Sequence, residues 1–71
     1  MNKLKEYRIK TGLTITALAK EANVAPKTVK RAESEKKSPR DETLYRILNA
    51  LNKLAKKEYT FKEIFGKKDG G

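Results

Sequence analysis

Apolar residues return every three or four positions along this chain, and Gly, Pro and Asn cut the rhythm into five short segments. That spacing sets apolar side chains on one face of an α-helix. Asn2 stands where a helix cap is expected, Leu4 and Tyr7 share a face behind it, and Gly12 follows Lys10 and Thr11 as a left-handed stop. Thr14 predicts the cap of a second helix, Ile15 to about Ala22, with Leu18, Ala19 and Ala22 inward and Asn23 in the turn. Pro26 suits the first position of a third helix, where its missing N–H would have no partner anyway. Val29 and Ala32 follow on one side, so this helix is expected to begin near Ala25.

Ser38-Pro39-Arg40-Asp41 has the form of a capping box with proline at the first helical position. It opens the most periodic segment, with Leu44, Ile47, Leu48, Leu51, Leu54 and Ala55 in one stripe. Thr60 and Glu63 form Thr-x-x-Glu, Tyr59 and Ile64 stand where a hydrophobic staple requires them, and Phe61, Ile64 and Phe65 precede Gly66. No segment alternates apolar and polar residues as a strand does. The expectation is an all-α, compact five-helix bundle with one domain at 1–66 and a disordered tail at 67–71. Its core is expected to hold Leu4, Leu13, Leu18, Val24, Val29, Leu44, Ile47, Leu48, Leu51 and Ile64, with Tyr45 left exposed as a contact residue.

Composition narrows the chemistry. With 71 residues, no Cys and no His, the chain has neither disulfide staples nor the usual zinc ligands, nor a Cys-His or Ser-His-Asp nucleophile. The adjacent carboxylates Asp41 and Glu42 are accounted for as a cap partner and a first-turn charge, so no enzyme, cofactor or small-molecule substrate is expected. The longest apolar run is Ala17-Leu18-Ala19, far too short for a membrane, and no apolar signal segment follows Met1. A cytoplasmic protein is expected. Eighteen Lys and Arg against nine Asp and Glu give a net charge of +9, which concentrates polyanions, nucleic acid above all.

The charge is placed unevenly. Residues 25–40 hold Lys27, Lys30, Arg31, Lys36, Lys37 and Arg40 against Glu33 and Glu35, a net +4. The second and third segments, over about 15–34, have the proportions of a helix-turn-helix, whose second helix lies in the DNA major groove. Arg8, Gly12-Leu13-Thr14, Leu18-Ala19, Val24, Thr28-Val29, Arg31, Glu33, Pro39, Glu42-Thr43-Leu44, Ile47 and Ala50-Leu51 resemble the Cro/repressor-type helix-turn-helix family, also called the XRE family, from Leu4 to Phe65. The resemblance implies a lambda-repressor-like domain that controls transcription in bacteria, plasmids and temperate phages, binding double-stranded DNA as a homodimer.

It further implies that Pro26, Lys27, Thr28, Lys30, Arg31, Ser34, Lys36, Lys37 and Arg40 contact DNA. Lys27 and Arg31 match base-facing positions and Ser34 a phosphate-contacting one. Lys36, Lys37 and Arg40 are expected to neutralise further phosphates, fixing register without reading sequence. Arg8 and Glu33 match a partly buried ion pair that joins the first helix to the end of the third. Three positions depart from the family: Ile15 and Pro26 stand where amide or basic side chains are common, and Glu35 where glycine is. These favour an alternative, a small antirepressor that binds another repressor protein through Ile15, Pro26, Lys27, Lys30 and Arg31 and blocks its DNA binding.

Overall fold

The computed structural model describes residues 2–34 and 37–66. Five helices follow in order: α1 (Leu4–Thr11), α2 (Ile15–Ala22), α3 (Pro26–Ser34), α4 (Asp41–Ala55) and α5 (Phe61–Phe65). There is no strand among the described residues. The tail expected at 67–71 lies outside them.

Local chemistry sets most of the helix ends. Gly12 closes α1 in the left-handed region (φ 81°, ψ 21°), a conformation that costs a glycine nothing sterically. The Thr14 hydroxyl accepts from the Ala17 N–H to cap α2, and Asn23 ends that helix at φ 60°. In α5 the Thr60 hydroxyl accepts from the Glu63 N–H at 3.1 Å while the Glu63 carboxylate accepts from the Thr60 N–H at 3.1 Å. Both halves of that capping box are therefore made.

The start of two helices differs from the sequence reading. Lys3 precedes α1 as its cap residue, and Asn2 lies one position earlier, its Oδ1 accepting from the Leu4 N–H. Helix α4 begins at Asp41, with Arg40 as an extended cap residue, so Ser38 caps nothing and Pro39 is outside the helix. A capping box needs Glu or Gln at its fourth position, and Asp is one methylene shorter. Asp41 and Glu42 instead occupy the first turn, where the helix dipole favours negative charge.

Helix α2 packs against both α3 and α4, and α5 closes the bundle against α1 and α4. Leu4, Leu18, Val29, Leu44, Ile47, Leu51 and Ile64 are fully enclosed, joined by Ala19, Ala32, Ala50, Leu48, Phe61 and Phe65. Leu13 and Val24 are half-buried at the margin rather than inside. They occupy the turns on either side of α2, where only one side of each side chain meets the core. Tyr45 is not an exposed contact residue: its ring packs 4.6 Å from that of Phe61, because α5 lies across that flank of α4.

The α4–α5 connection is held by one side chain. Asn52 donates from Nδ2 to the Tyr59 carbonyl at 3.0 Å and accepts at Oδ1 from the Tyr59 N–H at 2.9 Å. Tyr59 in turn stacks on Tyr7 of α1, with ring centroids 4.6 Å apart.

Candidate nucleic-acid interface

Helix α3 is divided by its own period. At about 100° per residue, Pro26, Lys27, Lys30, Arg31 and Ser34 fall within an arc of about 140°, and all five are exposed. Val29 and Ala32 lie opposite and are buried. Pro26 occupies the first helical position and Thr28 donates its N–H to the Ala25 carbonyl at 2.9 Å. Thr28 itself is half-buried on the flank toward Ala32, so the structure does not bring it onto the exposed face.

Glu33 does not dilute this charge. Its Oε2 accepts from Arg8 Nε at 2.6 Å, with the two side chains only 9% and 10% exposed. The same guanidinium donates from Nη1 to the Leu13 carbonyl at 2.8 Å, tying α1, the α1–α2 turn and the last turn of α3 together. Ion pairs elsewhere join Glu6 to Lys10, Glu42 to Arg46 and Glu21 to Lys53. Among the described residues, none of Lys27, Lys30 or Arg31 is paired with a carboxylate.

Lys37 and Arg40 continue the basic surface in the α3–α4 connection, both exposed, with Lys37 in the left-handed region at φ 49°. Lys36 and Glu35 lie outside the described residues. Beside α3, an open hollow of about 440 Å³ is lined by Lys5, Arg8, Ile15, Lys30, Glu33 and Ser34. Ile15 forms part of its wall while packing against the core, a peripheral core residue rather than a freely exposed apolar one. Lys5 is the residue that sequence reasoning missed. Its signal was present, because Lys5 and Arg8 are three apart on α1 and share the side that meets Glu33.

An exposed, acid-free cationic face on the second helix of a helix-turn-helix defines a DNA-binding regulatory class of domain. The Helix-turn-helix family model matches residues 4–55, from the first residue of α1 to the last of α4, leaving α5 beyond the matched range. The chain belongs to this family, in its Cro/XRE branch of DNA-binding regulators. No curated protein and no solved structure matches it. Among the described residues, no helix is long and apolar enough to cross a membrane.

Proposed function

We propose that this chain is a sequence-specific transcriptional regulator of the Cro/repressor kind, acting by occupancy of an operator. The observation that carries the reading is the exposed face of α3, on which Lys27, Lys30 and Arg31 have no carboxylate partner among the described residues while Glu33 is consumed internally by Arg8. Arg31 is suited to a bidentate contact with guanine O6 and N7, and Lys27 and Lys30 reach the same atoms or a phosphate. Pro26 supplies only van der Waals contact to a base. Ser34, Lys36, Lys37 and Arg40 bind phosphates and set register.

We take the domain as residues 1–66 with its helix-turn-helix at 15–34, and the fold of its described residues measures 28 × 23 × 19 Å. That is shorter than the roughly 34 Å turn separating half-sites on B-DNA, so one copy covers one half-site and a symmetric operator takes a homodimer. The test is a gel shift on duplex DNA flanking the gene, run against an unrelated duplex over a range of salt. Preferential, salt-dependent retardation of the flanking DNA is expected. Weak binding that ignores sequence defeats the proposal.

The antirepressor reading keeps one observation in its favour, the exposed Pro26 at the tip of α3, where a hydrogen-bonding side chain would serve DNA better. Ile15, its second support, is half-buried against the core. Adding a neighbouring repressor to the same gel shift separates the two: release of that repressor from its DNA supports the antirepressor, and independent occupancy supports the operator-binding regulator.

A further inference from the structure

The first residues of the chain reach the far end of α3. Asn2 donates from Nδ2 to the Ala32 carbonyl at 2.6 Å, 30 positions away, while its Oδ1 accepts from the Leu4 N–H at 3.1 Å. The neighbouring Lys3 donates its N–H to the Ile64 carbonyl at 2.7 Å. Residues 2 and 3 thus join α1, the last turn of α3 and α5 at one place.

That last turn has carbonyls in need of partners, because the final four of any α-helix find none within it. In α3 they belong to Arg31, Ala32, Glu33 and Ser34. The Ser34 hydroxyl donates to the Arg31 carbonyl at 3.2 Å, and Asn2 serves Ala32. Two of these four carbonyls are thus met by side chains, and one of those side chains comes from the start of the chain.

We infer that Asn2 is a positioning residue for the DNA-reading helix, its amide fixing the last turn of α3 and with it the aim of Arg31. The inference rests on α3 being that helix. The Arg8–Glu33 pair anchors the adjacent side chain and the buried Ala32 methyl seats the turn on the core, while the Asn2 amide adds a hold on the backbone carbonyl itself. A bidentate contact between Arg and guanine depends on orientation as well as distance, so a loosened turn costs discrimination before it costs attraction to phosphate.

The variant Asn2→Ser separates the two roles of the side chain. Its hydroxyl still accepts from the Leu4 N–H but is too short to reach Ala32, whereas Asn2→Ala loses both bonds. Amide hydrogen exchange of the free proteins reports the last turn of α3 directly. Binding is read on two probes of equal length over a range of salt: a duplex selected from a random pool by the wild-type protein, and an unselected duplex. We expect Asn2→Ser to remain folded with a melting temperature lowered by only a few degrees, the worth of one net hydrogen bond, to exchange faster over residues 32–34, and to lose affinity for the selected duplex by about 3- to 10-fold. Affinity for the unselected duplex and the salt slope should stay unchanged, since no phosphate contact is removed.

Wild-type exchange together with wild-type discrimination in Asn2→Ser overturns the inference. Equal losses on both duplexes with a shallower salt slope also overturn it, by making Asn2 a phosphate contact. A wild-type protein that selects no sequence defeats the DNA-reading role itself, and the exchange data then still decide whether Asn2 holds α3.

Discussion

Arg8 and Glu33 face each other in a space that admits little water, and this sets what each is worth. Deleting one partner strands a charge at a side chain about nine-tenths covered. Arg8→Ala should therefore cost about 3 to 5 kcal/mol of stability, and Arg8→Ala with Glu33→Ala less than the sum of the single changes. Urea unfolding of the four proteins in a double-mutant cycle measures this, and strictly additive losses would remove the pair as an interaction. The cations on and after α3 carry a different signature. Arg31→Ala should relax discrimination at one base pair by about 1 to 3 kcal/mol. Lys37→Ala should weaken all duplexes alike and reduce the salt slope by about one unit. Competition binding with single-base variants of a selected duplex distinguishes them, and identical behaviour of the two variants would mean that α3 does not read bases.

At the scale of elements, helix ends show where sequence is sufficient information and where it is not. Gly12, Thr14, Asn23 and the Thr60–Glu63 box act on backbone within a few residues, so spacing alone locates them. The start of α4 escaped because burial of Leu44, Ile47 and Leu51 places that helix, and the nearby Ser-Pro motif has no part in it. Tyr45, Leu13 and Val24 escaped for a related reason: their exposure depends on where α5 and the turns around α2 come to rest. The cationic face of α3 was readable from its period, and Lys5 from its spacing to Arg8, whereas Thr28 on the flank depends on how neighbouring helices pack. One end remains poorly matched to its residue. Lys56 closes α4 at φ 57° and ψ 46°, where a side chain with a Cβ is strained by about 1 to 2 kcal/mol. Lys56→Gly should raise stability by about 1 kcal/mol after the added flexibility of the unfolded chain is counted. A thermal melt checks it, and an unchanged or lower midpoint would show that Lys56 makes up the strain through contacts of its own.

The whole molecule combines a small core with a strong positive field, and the two should be linked through DNA. A domain of 71 residues has a total stability of about 4 to 10 kcal/mol at the usual value per residue. Leu51 is fully enclosed on α4, away from the α3 face, and Leu51→Ala should cost about 2 to 5 kcal/mol. That change brings the chain close to unfolding without touching a group that meets DNA. A ligand that binds only the folded state restores stability, by about 2.7 kcal/mol when present at 100 times its dissociation constant. A duplex selected by the wild-type protein should accordingly raise the melting temperature of the Leu51→Ala variant. Because binding releases counterions from the duplex, the gain should shrink steeply as salt is increased. Melts with and without duplex, at low and high salt, test both halves of the argument. A Leu51→Ala variant as stable as the wild type would mean that Leu51 is not a core residue. A destabilised variant that duplex fails to rescue at low salt would mean that the folded domain does not hold DNA, and the operator-binding role would fall with it.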